Sequence, residues 1–555
     1  MANMNNKNTE KKDDFLIQGM LLAVAMVITK IIGVVYKIPL VNILGDEGMG
    51  FHGYAFEVYA FILIISTFSM PTAVSKLVSS RMAMGQKKNA FRVFKCAMIF
   101  SMALGLAFML LLLFGADIIA QYMMESPLNT YALRVLAPAI FIVAILGVMR
   151  GYFQGLGTMM PTAISQIIEQ IVNAIVSIAG ASIMMSVGMK IAEKKDDELI
   201  APAYGAAGGT LGAVAGAGFA LAFLIFIFLA YKKKLKRQLL MDNSRKKESY
   251  SRILKILVIT IVPIIFSTAI YNINQILDLT LFNKIMAAQG FAQKEYVGLQ
   301  GIYTGKYNTL INVPLAVANG LASAVLPSLA AAVAIRKKNQ IHDKIDQTIQ
   351  FTMLIAIPCF VGFVVLASPL MVFLYNDASK TPALMLSMGA ITVVTYCLST
   401  VCNSILQGLD KMVSPVKNAL ISLLVHLAAL LIFMIVFKWN IYSIVLSNIV
   451  FSVCMSYLNL RDIQKACGYR PNLRKVFVKP FTAAIVMGIT AYAVHLILEI
   501  IIGGRYVATL AAIMAAVVVY VISILRFGAL TEEDILDLPK GEKICSLCRK
   551  LHLLK

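Results

Sequence analysis

Two lysines of this 555-residue chain, Lys30 and Lys306, fall inside long apolar runs, where a charge needs a partner or a wet cavity. Lys30 lies about fifteen residues into a run that begins at Phe15, roughly 22 Å along a helix rising 1.5 Å per residue. Its ammonium is too deep to reach the near surface easily. Lys306 lies about nine residues into a run beginning near Val297. An ammonium at mid-membrane costs at least ~2.5–3.5 kcal/mol, so these residues either hold an anionic group in a cavity or form buried pairs that fix packing. Lys37, at the end of the first run, and Glu57, near the start of the next, lie at the same membrane boundary and could form a gating contact or a solvated interfacial pair of little energetic weight. Lys76, near the end of its run, offers another charge to a cavity, although snorkelling to the interface explains it more simply. Arg134 reads the same way.

Asp278 and Asn274 are four residues apart, so their side chains share one helix face. Hard oxygens on one face could bind a sodium ion or take a proton, or else knot two helices through hydrogen bonds. Glu169 reads as a partner for a cavity lysine or as an interhelical hydrogen-bonding group. Cys545-Ser546-Leu547-Cys548 is a lone C-x-x-C with His552 as its one neighbouring ligand. Reduced thiols fit it better than zinc, which wants a second ligand pair. The chain has no phosphate-binding loop with its lysine, no nucleophile elbow and no zincin helix. No cofactor is therefore expected beyond a coupling sodium ion, and work must be driven by an ion gradient, the membrane potential or the substrate gradient.

The surrounding elements follow from composition. Hydrophobic residues make up 59% and charged residues 14% of the chain, with a mean hydropathy of +0.80, well outside the range of soluble domains. The net charge of +22 is spread through short segments between apolar runs, which excludes a basic nucleic-acid-binding face. Reading runs of at least ~18 residues as spans predicts an all-α integral membrane protein of about fourteen transmembrane helices. The spans include Phe15–Lys37, Tyr54–Val78, Val297–Ile335, Thr348–Tyr375, Pro382–Leu406, Val476–Ile502 and Tyr506–Leu525. With both termini in the cytoplasm, about 37 of the 50 Lys and Arg fall in cytoplasmic segments and about 8 outside, as the positive-inside rule requires. The stretch Asn42 to His52 then forms an outside loop. No cleavable leader is expected, because Met1 to Asp14 is polar and lacks a short apolar core with a cleavage site.

The chain also repeats. Gln154-Gly155-Leu156 after the fourth span corresponds to Gln407-Gly408-Leu409 after the tenth, and Ala73-Val74 to Ala324-Val325. A spacing of roughly 250 residues is six helices, an even number, so the halves are parallel repeats. The expected organisation is a six-helix lobe over 1–231, a basic linker over 232–252, a second six-helix lobe over 253–460, and two C-terminal helices with a tail over 461–555. The glycines between Gly205 and Gly218 read as close helix packing.

These features resemble the multidrug/oligosaccharidyl-lipid/polysaccharide exporter superfamily. Within it they are most similar to the polysaccharide-biosynthesis branch that holds lipid II flippases and the stage V sporulation protein B group. The resemblance is carried by Lys30-Ile31-Ile32-Gly33, by the segment from Gly320 through Leu326-Pro327-Ser328-Leu329, and by the two Gln-Gly-Leu turns. It implies a two-lobed flippase of the cell membrane, with a central cavity and a lipid-tail groove beside helices 13 and 14. The implied cargo is a polyprenyl-diphosphate-linked sugar, with lipid II the first expectation. Lys30, Lys306, Lys37, Glu57 and Lys76 become candidates to line the substrate path, the deep lysines gripping the diphosphate. Asp278 and Asn274 become candidates for a sodium or proton site. Phe61-Ile62-Leu63-Ile64 stands where lipid II flippases carry a basic pair. The alternatives are a flippase for another lipid-linked polysaccharide or spore-cortex precursor, and a cation-coupled drug exporter of the same fold, which would want acidic cavity residues.

Overall fold

A computed structural model of the chain describes residue 25 and residues 28–550, apart from 68, 243–246, 335–336 and 537–540. Every regular element among the described residues is helical, and eleven helical segments are long and apolar enough to cross a membrane. The chain is an all-α, multi-pass integral membrane protein. Most of the expected first span, the polar segment before it, Arg336 and His552 lie outside the described residues.

The helices form two compact units, Met1–Gly305 and Lys306–Lys555. The first contains α1 (Lys37–Ser66), α2 (Met70–Ala83), α3 (Lys87–Ile118), α4 (Thr130–Gly155), α5 (Met160–Lys195), α6 (Ile200–Leu240), α7 (Tyr250–Ala288) and α8 (Gln293–Gly301). The second opens with α9 (Asn308–Ala334), α10 (Lys338–Val365), α11 (Ala367–Tyr375), α12 (Lys380–Gly389) and α13 (Ile391–Gly408). It continues through α14 (Val413–Leu431), α15 (Tyr442–Cys467), α16 (Lys479–Ile502), α17 (Arg505–Arg526) and the short α18 (Glu532–Leu536) and α19 (Gly541–Lys550).

The stretch expected as an outside loop, Asn42 to His52, is instead helical and largely buried, lying inside α1 with a kink at Gly45 (φ 66°). Its glycines mislead a hydropathy reading but are what lets α8 and the turn after it press onto it. A Cβ on Gly50 would meet the Val297 carbonyl, one on Gly301 the Asp46 carbonyl, and one on Gly53 the Thr304 hydroxyl. The expected span Tyr54–Val78 is broken between Ser66 and Met70. Pro71 has no N–H to offer there, and Thr67 closes the turn by donating its N–H to the Leu63 carbonyl at 2.9 Å. The span expected from Thr348 starts earlier, at Lys338, and breaks at Leu366. The one expected from Pro382 is divided at Ala390.

The repeat is visible in hydrogen bonds. After α4, Gly157 adopts φ 84° and Thr158 N–H donates to Phe153 O at 3.1 Å. After α13, Asp410 adopts φ 60° and Lys411 N–H donates to Leu406 O at 2.8 Å. Both turns close with the same left-handed residue and the same six-to-one bond. Their glycines also meet equivalent neighbours, Gly155 against Val78 on α2 and Gly408 against Leu329 on α9.

In lipid, helices gain nothing from burying apolar faces against each other, so close backbone contact carries association. Gly180 of α5 and Gly208 of α6 each sit against the other's carbonyl, and Gly205, Gly209, Gly212 and Gly216 of α6 are similarly hemmed in. Gly218 of the same run faces open space.

Candidate functional site

In the first unit, Lys30 lies on an exposed helical stretch that turns at Tyr36 into α1, and Lys37 opens α1, partly buried. Seven residues apart, they occupy one helix face. Lys37 lies within electrostatic range of both Lys30 and Glu57, and His52, buried on the same helix, lies within range of Lys37. Lys37 and Glu57 interact without a direct ion pair among the described residues. His52 stacks on Phe56 with ring centroids 5.8 Å apart, so its position one helical turn from that ring is fixed by packing. Lys76 stands apart, exposed on α2 and outside any ion pair among the described residues.

A polar ladder runs down α5 beside this cluster. Ser165, Glu169, Asn173 and Ser177 recur every four residues and share one face. Arg150 of α4 donates from Nε to Ser165 Oγ at 3.0 Å and from Nη2 to Glu169 Oε2 at 2.6 Å. Asn173 donates from Nδ2 to Tyr36 Oη at 3.3 Å and accepts from Ser177 Oγ at 3.0 Å. Glu169 therefore has an arginine partner rather than one of the lysines. The sequence holds the signal, a four-residue polar period within an apolar run, but only Glu169 stands out when charge alone is the criterion.

In the second unit, Lys306 is buried in a π-helical stretch, Ile302–Tyr307, leading into α9. Its ammonium lies 2.6 Å from Asp377 Oδ2, in the loop between α11 and α12. Asp377 Oδ1 also accepts the Ser379 N–H at 2.8 Å. Burial alone would raise the Asp377 carboxyl, but the Lys306 and Ser379 bonds outweigh it and hold the group below the usual aspartate range. An anion gripped by Lys306 must compete with this carboxylate. Asp377 escapes sequence reading because it lies about seventy residues away, outside any span.

Asp278 and Asn274 are both buried on α7. Nearby, Thr280 Oγ1 and Tyr54 Oη share a 2.6 Å hydrogen bond, and Asn283 Nδ2 donates to the Met124 carbonyl at 2.6 Å. The pair offers two oxygen donors from one turn, part of the set a hard cation takes. Ser422 and His426 of α14 pack within the second unit, Ser422 against Met455 Sδ at 3.8 Å and His426 edge-on to Phe451. Cys545 and Cys548 are buried thiols on α19, and no cluster of three or more His, Cys, Asp or Glu suited to a metal occurs among the described residues.

The basic linker is fastened to the first unit. Arg81 donates from Nε and Nη2 to the two carboxylate oxygens of Glu248, at 3.1 and 2.7 Å, in a nearly buried fork. Glu248 N–H in turn donates to Asn89 Oδ1, and Arg92 lies over the Tyr250 ring.

A multi-pass helical protein with internal repeats, cations within its spans and polar ladders between them has the build of a transporter. The chain belongs to the polysaccharide biosynthesis protein family, which it matches over residues 16–333. It is 24% identical over 531 residues to stage V sporulation protein B of Bacillus subtilis (strain 168), covering 95% of this chain and 98% of that protein. It is 25% identical over 429 residues to the lipid II flippase MurJ of the same organism, covering 74% and 76%. Among solved structures, the inward closed conformation of the lipid II flippase MurJ superposes with a TM-score of 0.64 at 14% identity, covering 91% of this chain and 98% of that one. The protein is a membrane transporter of the flippase and exporter superfamily, not an enzyme.

Proposed function

We propose that the protein is a flippase that carries a lipid-linked anionic sugar precursor, lipid II for peptidoglycan synthesis, across the cytoplasmic membrane by alternating access. The observation that carries this reading is the pair Lys30 and Lys37, two cations on one helix face within a membrane span, with Glu57 in range. Cations so placed favour a diphosphate headgroup over the cationic cargo of a drug exporter. Lys306 contributes a further grip once Asp377 yields, and Lys76 receives or releases the headgroup at the membrane boundary. The polyprenyl tail stays in lipid throughout. Asp278 and Asn274 would hold a coupling sodium ion or proton, whose binding would bias the two access states. Both termini lie in the cytoplasm.

A spore-cortex precursor is the second reading, favoured by the fuller match to stage V sporulation protein B. The deciding experiment is complementation in two strains, one depleted of its lipid II flippase and one lacking stage V sporulation protein B. Rescue of the first supports lipid II, and rescue of the second alone assigns the sporulation role. Rescue of neither, with the protein inserted normally, overturns the flippase reading.

A further inference from the structure

Two buried amide oxygens of the first unit have nothing to accept. Asn283 of α7 and Gln300 of α8 are 0% and 1% exposed, and among the described residues Asn283 Oδ1 and Gln300 Oε1 receive no hydrogen bond. Which atom of each amide is the oxygen is fixed by its partner. Asn283 Nδ2 donates to the Met124 carbonyl at 2.6 Å and Gln300 Nε2 to the Leu279 carbonyl at 3.3 Å, and only the nitrogen of an amide can face a carbonyl in this way. Leu279 precedes Asn283 by one turn of α7, so Gln300 sets its amide against the turn that carries Asn283. Buried acceptors without a donor are rare, and two from adjoining turns of neighbouring helices call for an occupant.

The surroundings are braced and electron-rich. Three helices hold the turn between α3 and α4 by successive carbonyls: Tyr54 of α1 donates to Met123 O at 3.3 Å, Asn283 of α7 to Met124 O, and Tyr296 of α8 to Glu125 O at 2.5 Å. These carbonyls stand at the C-terminal end of a helix, where its dipole is negative. The Glu125 carboxylate lies within electrostatic range of the Tyr54 and Tyr296 phenols. Lys284 and Lys294, the lysines next along the chain, are exposed, and Lys294 pairs with Glu198. A site of this kind repels an anion and favours a small positive charge. Two amide oxygens suit a monovalent ion, since calcium and magnesium take carboxylates or water to balance their charge.

We propose that Asn283 Oδ1 and Gln300 Oε1 bind a small monovalent cation, with sodium as the probe, and that this ion joins α7 to α8. The site is separate from the Asp278–Asn274 pair. Asp278 is five residues from Asn283, about 140° round the helix, and so presents another face. The inference requires neither the cargo nor the membrane orientation, so it stands or falls apart from the flippase reading. A bridging water is the rival occupant, because one water can donate to both oxygens.

The test follows the unfolding temperature of the purified full chain in detergent while sodium chloride replaces choline chloride at constant ionic strength. Sodium should raise it saturably, as a ligand that binds only the folded state does. Asp278→Asn should keep this response. Gln300→Met, which removes the oxygen at similar length, should lose it while unfolding in choline alone close to the unsubstituted protein. Gln300→Glu, in a mildly alkaline buffer that keeps the new carboxyl ionised, should lower the half-saturating sodium concentration by at least about threefold. That variant decides the matter even where the methionine variant fails to fold. Sodium and choline acting alike would leave water as the occupant and overturn the proposal. Loss of the response in Asp278→Asn, or its survival in Gln300→Met, would assign the ion to Asp278 and overturn it as well. So would an unchanged half-saturation in Gln300→Glu.

Discussion

Asp377 Oδ2 lies 2.6 Å from the ammonium of Lys306, so the one buried lysine of the second unit's opening helix is already committed to a carboxylate. This relationship makes Lys306 a switchable cation rather than an open one. In the proposed flippase, headgroup binding at Lys306 would then be coupled to release of Asp377.

Breaking that pair from one side leaves a buried charge. Asp377→Asn should lower stability by about 3 kcal/mol, because an unpartnered buried ammonium costs more than a removed pair. Lys306→Met with Asp377→Asn should recover most of that loss but no transport. Thermal unfolding in detergent and a flipping assay on the same preparations check both halves. Transport by the double variant at the native rate would reduce the pair to packing.

The pH dependence follows from two aspartates. Asp377 is held low as described above. In Asp534, the hydrogen bonds from Thr531 and Gln350 and the charge of Lys475 similarly overcome burial and hold the carboxyl low. A depressed carboxyl stabilises the folded state above the unfolded aspartate value, about 3.9, and loses that contribution as pH falls through its lower folded value. Unfolding temperature should therefore stay flat from neutral pH to about 5 and drop steeply below about 4. Asp377→Asn with Asp534→Asn should flatten the drop. An equally steep acid limb in that variant would locate the sensitive groups elsewhere.

How much of this was legible in the sequence depends on whether a signal is local. Fold class and the close packing of α6 rest on hydropathy and glycines, and the matched Gln-Gly-Leu turns are recognisable in Gly155 against Val78 and Gly408 against Leu329. The helical stretch from Asn42 to His52 was lost because glycine lowers hydropathy while serving helix contact. Partners were lost wherever they came from distant sequence: Asp377 for Lys306, Arg150 for Glu169, Glu248 for Arg81. An ion pair is fixed by tertiary approach, which no periodicity records.

Arg81 and Glu248 tie the linker to α2 through two parallel bonds. Glu248→Gln should destabilise the protein by about 2–3 kcal/mol, the partial exposure of the glutamate softening the loss. Arg81→Lys should not preserve the tie, since an ammonium cannot form the planar fork. Hydrogen exchange at residues 247–250 should rise in both variants. Unchanged protection there would show that Asn89 and Arg92 hold the linker without the fork.

Orientation can be read by labelling. A cysteine at Lys195, exposed at the end of α5, should react in intact cells with an impermeant thiol reagent, and one at Lys247 should react only after permeabilisation. The reverse pattern would invert the topology.

Lys30 and Lys37 provide the most direct test of how the cargo is held. They are about 10 Å apart along the helix, close enough for one diphosphate and its sugar to engage both. Lys30 is exposed and in no ion pair among the described residues, so it can meet an incoming anion without first breaking a contact. Lys37 lies within electrostatic range of Glu57. Lys30→Gln keeps the length and removes the charge, and should lower flipping by at least about tenfold, since loss of even ~1.4 kcal/mol of anion stabilisation has that effect. Lys30→Arg should remain partly active, because the charge persists while the geometry changes. Lys37→Gln should lower flipping because it leaves the Glu57 carboxylate uncompensated beside the anion, and Lys37→Gln with Glu57→Gln should recover part of the loss by removing a repelling carboxylate. The measurement is flipping of lipid-linked precursor in vesicles, with insertion and stability followed on the same samples. Native rates in Lys30→Gln with Lys37→Gln would remove both lysines from the substrate path and leave the Arg150 ladder of α4 and α5 as the place to look.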